Sequence, residues 1–491
     1  MNPAPTRIVI VGRDVSLWLS ACVLQSALTR MGVQVHALEL PTLLRASDVC
    51  ASSTTLEALH HRLRIDESRL LRAVRGAFSL GQNFIDLAGD QSSFFHPYGA
   101  CGAPIDHRAF LPYWLMARTF GLNVALEEFS LTAVAAKQGR MLIPDAATDV
   151  YGRADYAYHL PALEYAAWLK QLATKRGVRT YQALKTIVET QADRISAVHA
   201  IDFRVGGDLF IDATGSTADL MSALGVQRES WREYFRVDRK LVASAGRLPS
   251  IPPYAEIRSS SNGWTGLYPT QLRTHVVHAY ASAFATEEQA LIQATRASRF
   301  ALHDVVVEKC EPARSQSAWS ANCIALGDAA CSFDPVHSVE LQALQLGLVH
   351  LLSLFPVSGE HESERAEYNR VCQLGYERLR DFQSAHYACN RYVGDFWESA
   401  RQAQRSSLLQ HKIDLFHARG EVPMVEHESF TTDSWQSLLI GHGLLPHTYE
   451  PAIERTPPAV IKQEFRRILS FIKDKVQEQT THDEYLKALC S

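Results

Sequence analysis

The first forty residues restrict the fold more than any other part of the chain. Ile8-Val9-Ile10-Val11 is a continuous β-branched run, the pattern of a parallel strand buried on both faces. Gly12-Arg13-Asp14-Val15-Ser16-Leu17 follows. Leu17, Ala21, Leu24, Leu28 and Met31 then recur at intervals of 4, 3, 4 and 3 residues, one stripe of a helix with a 3.6-residue period. Gly32 is placed to end that helix. Val33-Gln34-Val35-His36-Ala37-Leu38 reads as a second strand, closed by Glu39. Strand, Gly turn, helix, strand and terminal acid are the order of a dinucleotide-binding unit, in which the acid accepts from an adenosine ribose.

Composition removes several classes. The 491 residues amount to roughly three domains at about 150 residues each. Lys and Arg number 49 against 53 Asp and Glu, a net charge of −4, so no basic surplus points to nucleic acid. No apolar run approaches the ~20 residues that span a bilayer. Met1-Asn2-Pro3-Ala4-Pro5-Thr6-Arg7 leads straight into the first strand. A secretory signal is therefore not expected, and a cytoplasmic location is. The nine cysteines are scattered and odd in number, without a C-x-x-C pair. They read as reduced thiols, and no metal site is expected.

Further along, Leu209-Phe210-Ile211-Asp212-Ala213-Thr214-Gly215 and Cys323-Ile324-Ala325-Leu326-Gly327-Asp328-Ala329-Ala330 each read as a buried strand entering a Gly turn. Past residue 340 the strand signals cease. Val371, Gly375, Leu379, Phe382 and His386 form one helical stripe. Ile461, Phe465, Ile468, Ile472 and Val476 form another. The expected architecture is α/β, with a βαβ unit and mixed sheet over residues 1–345 and a helical C-terminal layer over 346–491.

Several motifs together resemble the flavin-dependent tryptophan halogenase family. They are the first βαβ unit, Phe94-Phe95-His96-Pro97-Tyr98-Gly99, Phe210 to Gly215, Gly263-Trp264 to Pro269, Gly327 to Pro335, and His386-Tyr387 to Phe396-Trp397. Ser434-Trp435, Gly441-His442-Gly443 and His482-Asp483-Glu484-Tyr485-Leu486 complete the set. Their order along nearly the whole chain carries the resemblance. It implies an FAD-dependent monooxygenase/halogenase-like fold. It also implies FAD supplied reduced by a separate flavin reductase, hypohalous acid formed at the flavin, and an electron-rich aromatic substrate. By the same resemblance, Gly12, Arg13, Asp14, Glu39, Thr214, Gly215, Gly327, Asp328 and Ala329 stand at FAD-contacting positions. His96, Tyr98, Trp264 and Trp435 read either as the substrate-side lining of an aromatic-binding cavity or as core aromatics, the commoner place for large rings.

Against the family pattern the chain departs at four places. In G-x-G-x-x-G the second Gly lets the pyrophosphate approach; here Asp14 and Leu17 replace the second and third. A carboxylate ~5 Å from a phosphate costs about 3 kcal/mol at an effective dielectric of ~20. Asp14 or Ser16 is expected to cap the helix instead. The family's Lys in Phe-Lys-Leu-Gly is Ser79 in Phe78-Ser79-Leu80-Gly81, and a hydroxyl supplies no ammonium. The segment bearing the family's catalytic Glu and halide turn reads Asp334-Pro335-Val336-His337-Ser338-Val339-Glu340. His337 stands at the Glu position, and Glu340 brings a carboxylate against the halide turn. The second Trp of G-W-x-W is Gly266.

Two readings follow. One is a halogenase-like scaffold without catalysis or FAD, which binds an aromatic small molecule, an aromatic peptide side chain or a related halogenase. The other is a flavoenzyme of altered chemistry, with His337 as base and Glu340 as acid, served by a reductase. A homodimer is compatible with both.

Overall fold

The computed structural model describes residues 5–145, 148, 154–358 and 361–491. The chain divides into two compact units, each built from three stretches. Met1–Val74, Leu160–Glu233 and Cys310–Arg380 form the first; Arg75–His159, Tyr234–Lys309 and Asp381–Ser491 form the second.

The first unit is organised on the predicted βαβ start. Strand β1 (Arg7–Gly12) leads to helix α1 (Asp14–Leu28), and β2 (Gln34–Glu39) returns parallel to β1. Strands β3 (Arg179–Gln182), β4 (Leu209–Ala213), β5 (Trp319–Ser320) and β6 (Cys323–Ala325) complete a six-stranded sheet in the order β5-β6-β4-β1-β2-β3. The two apolar runs read at Leu209 and Cys323 are thus neighbours, with Phe210 opposite Cys323. Pairing β1 to β4 sets Ile8 opposite Leu209 and Gly12 opposite Ala213. A Cβ on Gly12 would fall 2.2 Å from the Ala213 carbonyl oxygen, so only Gly fits there.

Leu17, Ala21, Leu24 and Leu28 are buried as expected, and so are Trp18, Leu19, Cys22 and Val23 on other faces of α1. A helix apolar on most sides is covered on most sides, and α1 packs against helix α2 (Ala162–Lys175) as well as the sheet. Met31, read as the last member of the stripe, is instead 61 % exposed. Thr29–Met31 tightens into a 3₁₀ turn closed by Gly32 at φ 76°. Three residues per turn take Met31 out of phase with the stripe.

After Ser332 the described residues form no further strand. They form α3 (Glu340–Ser353), α4 (Glu362–Ala388), α5 (Asp395–Arg401), α6 (Ser407–Arg419), α7 (Thr432–Gly441), α8 (Pro458–Gln477) and α9 (His482–Cys490). Both predicted stripes, on α4 and α8, are buried.

The second unit holds a seven-stranded sheet whose centre is Gly263–Pro269, hydrogen-bonded to Ala255–Ser260 and Thr274–Tyr280. All seven residues of that central strand are buried. Burial also lowers the pKa of five histidines in this unit: His96, His278 and His482 to about 4, His159 and His442 to about 3. An unfolded chain titrates its histidines near 6.5 and so binds more protons than the folded chain between pH ~6.5 and ~4. The stabilising contribution of each neutral imidazole is complete above pH ~6.5 and declines on acidification, by up to about 1.4 kcal/mol per pH unit. The midpoint of thermal unfolding is therefore expected to be clearly lower at pH 5.5 than at pH 7.5 by calorimetry; equal midpoints would contradict it.

Candidate functional site

In the first unit the site positions lie at three strand ends. Residue 14, at the start of α1, has φ 60°, the left-handed region that glycine enters freely and other residues enter at a cost. The chain keeps a glycine backbone there and hangs a carboxylate on it. The expected capping role is not realised. Arg13 is the N-cap and its side chain caps nothing, whereas a capping residue holds an extended backbone that Asp14 lacks. Asp14 instead accepts from the Thr42 hydroxyl at 2.5 Å and from the Leu43 N–H at 3.3 Å. Its carboxylate spans from the first βα turn to the segment after β2. Ser16 also leaves the cap: its Oγ would lie 2.4 Å from a Cβ on Gly327. Gly327 has φ 60°, so the close approach and the backbone both require Gly.

Glu39 stands at the end of β2, as read from the sequence. Its Oε2 accepts from Lys170 Nζ at 2.6 Å and Gln182 Nε2 at 2.9 Å. The acceptor intended for a ribose is thus engaged inside the chain.

Thr214 and Gly215 follow β4, and a residue not singled out from the sequence organises them. Asp212 is fully buried and accepts from Thr214 N, Thr214 Oγ1, Leu220 N and Met221 N at 2.7–3.0 Å. Burial raises its pKa, and the four donors oppose the shift. The signal for it was a lone charge inside an apolar strand.

Arg228 was equally unforeseen. It donates to the carbonyls of Asp328 and Ala329, both at 2.9 Å, to Ala313 O at 3.2 Å and to Ser332 Oγ at 3.0 Å. It braces the Gly327–Ala329 turn from 100 residues away, and no local pattern reveals such a contact.

His337 and Ser338 have φ 67° and 48°, two consecutive left-handed residues just before α3. Each costs about 1–3 kcal/mol of backbone strain. His337 is buried. Glu340 opens α3, where a carboxylate is favoured by the helix dipole. It also faces the Cys50 thiol, whose pKa is raised by burial first and by Glu340 next.

The remaining positions lie in the second unit. Ser79 sits in the strand Ala77–Ser79, buried, and donates to Gly81 O at 3.1 Å. The Tyr98 hydroxyl pairs with the Ser79 and Gln82 side chains, and burial pushes its pKa up to about 12. Phe78, next to Ser79, donates its N–H to His482 Nε2 and meets the rings of His482 and Tyr485. The C-terminal motif on α9 therefore packs beside the Ser79 strand.

His96 and Trp435 share Phe382 as a neighbour, at ring-centroid distances of 5.8 and 4.9 Å. Trp264 belongs to another cluster: its indole N–H donates to Tyr387 Oη at 2.7 Å, and Tyr387 stacks on Trp397. Of these four residues, His96, Trp264 and Trp435 are buried, at 1 %, 2 % and 0 % exposure. Lys412 lies 4.5 Å over the Trp435 ring and is neutralised by Glu428. Among the described residues no cluster of three or more His, Cys, Asp or Glu is placed to hold a metal ion, and no helix is long and apolar enough to cross a membrane.

A parallel βαβ unit with a strand-end acid, a Thr-Gly turn and a Gly-Asp-Ala turn, together with a mostly antiparallel mixed sheet walled by buried aromatics, defines a halogenase-type α/β fold. The tryptophan halogenase family model matches residues 7–458, and the chain belongs to that family. It is 24 % identical to the tryptophan 6-halogenase ThaL of Streptomyces albogriseolus, over 93 % of each chain. Its fold matches BrvH, a flavin-dependent halogenase from Brevundimonas sp. BAL3, with a TM-score of 0.94 at 26 % identity over 100 % of both chains. It matches Xcc4156, a flavin-dependent halogenase from Xanthomonas campestris, with a TM-score of 0.93 at 26 % identity over 100 % of this chain and 99 % of the other.

FAD is the cofactor this family implies. At the first βα turn the chain carries the Asp14 carboxylate, hydrogen-bonded to Thr42 and Leu43 after β2. The same geometry sets a stability test. Asp14→Ala and Asp14→Gly lose the same two hydrogen bonds, but only Gly is at ease at φ 60°. Urea denaturation is expected to place Asp14→Gly above Asp14→Ala by about 1–2 kcal/mol. Equal stabilities would show that the backbone there is not held left-handed.

Proposed function

We propose that this chain is a tryptophan-halogenase-family protein that no longer halogenates and does not hold FAD. It acts as a scaffold for an aromatic small molecule or an aromatic side chain of a partner, of which a related active halogenase is one. The carrying observation is Asp14, whose carboxylate bridges to Thr42 and Leu43 across the pyrophosphate turn. Bound phosphate would have to break that bridge and meet the charge, a cost of about 3 kcal/mol, or roughly two decades of affinity. The other substitutions are consistent with it. Ser79 supplies a hydroxyl spent on Gly81 O where the family has an ammonium. Glu39 is spent on Lys170 and Gln182.

A second reading, a flavoenzyme of altered chemistry, is favoured by two observations. Arg228 still braces the Gly327–Ala329 turn. Arg13 Nε is buried beside the first turn with no hydrogen-bond partner among the described residues, a donor suited to an anion. In this reading His337, on the strained turn before α3, serves as base, and Glu340, the first residue of α3, as acid.

Titration of the purified protein with oxidised and with reduced FAD separates the two. The scaffold reading expects a colourless protein and no saturation at ~1 mM, weaker than about −4 kcal/mol. Stoichiometric yellow protein, or micromolar binding of reduced FAD, would overturn it. Asp14→Gly combined with Leu17→Gly is expected to recover measurable FAD binding, because Arg228 and Asp212 keep the other two turns in shape.

A further inference from the structure

Two histidine rings meet at the surface of the second unit, apart from the positions described above. His417 lies in the last turn of α6, and His447 in the connection from α7 to α8. Their ring centroids are 4.1 Å apart, with the planes inclined at 47°. His417 is half-buried and His447 exposed. Among the described residues no hydrogen bond or ion pair engages either imidazole, so their nitrogens are left to solvent.

The main chain, not the rings, brings the pair together. His447 N–H donates to the His417 carbonyl at 2.8 Å. Thr448 donates to the Ala418 carbonyl twice, from its N–H at 3.2 Å and from its hydroxyl at 2.8 Å. These carbonyls belong to the last helical turn and have no partner inside a helix. Gly420 closes α6 at φ 76°, its N–H on Phe416 O at 2.7 Å. Pro446 packs there, with its Cγ 3.3 Å from where a Cβ on Gly420 would lie. The fold thus meets the ordering cost of the two rings in advance. The C-terminal end of a helix also favours a cation. Asp414 stands three residues before His417 on α6, on the same helix face. Arg419, in the same last turn, is paired with Glu421 at 2.8 Å.

We propose that His417 and His447 form a two-imidazole chelate for a divalent transition metal ion of the Cu²⁺ or Ni²⁺ type, with water completing the coordination. Imidazole suits copper, nickel and zinc alike, and the ring spacing chooses among them. With metal–nitrogen bonds of ~2.0 Å, two imidazoles on one ion have centroids ~4.5 Å apart at a right angle and ~5.1 Å apart at the tetrahedral angle. The observed 4.1 Å is nearer the first. A right angle is the square or tetragonal preference of Cu²⁺ and Ni²⁺, whereas Zn²⁺ is tetrahedral. Two protein ligands are fewer than a resident zinc centre holds. The ion is therefore exchangeable, and it links the end of α6 to the connection beyond α7.

The test uses the full chain without a histidine tag, and the metal ions alone as probes. Cu²⁺ is expected to bind in calorimetric titration, with an electron paramagnetic resonance spectrum showing two imidazole nitrogens. His417→Ala and His447→Ala are each expected to weaken that binding about a hundredfold, the low end of what tethering a second donor gains. The double variant is expected to lose little more, because a single ring no longer chelates. Alanine keeps the three backbone-directed hydrogen bonds, so all variants should unfold at the wild-type midpoint without metal. Added Ni²⁺ is expected to raise the midpoint of wild type and of neither single variant. Undiminished Cu²⁺ affinity in either single variant would show a mere ring contact and overturn the proposal. So would a one-nitrogen spectrum, or Zn²⁺ held more tightly than Ni²⁺. No readout involves flavin, so the chelate stands or falls apart from the scaffold reading.

Discussion

At Gly12 the backbone of β1 passes so close to β4 that a single methyl group would strike the Ala213 carbonyl oxygen. Much of the first unit depends on that approach. It lets β1 sit between β2 and β4 with every residue from Ile8 to Gly12 in register. It starts α1 directly over the sheet and brings the ends of β2, β4 and β6 to the same edge. Asp212, one residue back on β4, then gathers four donors and shapes the next turn. Gly327, at the end of β6, admits Ser16 from α1 by the same kind of clearance. A parallel sheet buried on both faces tolerates such contacts only where side chains are missing or fully hydrogen-bonded.

Several polar groups at the site positions are satisfied by this chain itself, whereas Arg13 Nε is buried with no hydrogen-bond partner among the described residues. Asp14 is held by Thr42 and Leu43, Glu39 by Lys170 and Gln182, and Ser79 by Gly81. An anion or ligand arriving at any of them must first replace an existing hydrogen bond, which strips most of the gain from the exchange. The left-handed backbones at Asp14, His337 and Ser338 keep conformations that glycine would adopt without strain. The fold of the family is retained, and Asp14, Glu39 and Ser79 are engaged by other groups of the chain.

How much of this the sequence disclosed depended on how local the cause was. The βαβ start, the strands at Leu209 and Cys323 and the stripes on α4 and α8 are periodicities within a few turns of chain, and each was legible. Met31 was not, because a 3₁₀ turn alters the period without altering composition. The capping role given to Asp14 failed for a related reason. Residue type favours a cap, but a positive φ takes the side chain out of the conformation that capping needs. Trp264 and Trp435 could be located by motif, yet whether they face a ligand or the core is a matter of what packs on them. Arg228, Lys412 and Glu428 carry no motif at all; their partners lie 16 to 104 residues away in the chain.

The amino-acid sequence by itself determined the order of strands and helices in this protein and its membership of a halogenase-type fold, and it set the expectation of four departures from the family pattern. Those follow from periodicity, glycine placement and residue identity, which act over short stretches of chain. Only the tertiary structure decided which side chains are engaged inside the chain: that Asp14 bridges to the segment after β2, that Glu39 is held by Lys170 and Gln182, and that Ser79 donates to Gly81. These contacts join residues whose encounter is set by how whole elements pack. A carboxylate, an ammonium or a phenyl ring looks the same in sequence whether it awaits a ligand or already has a neighbour.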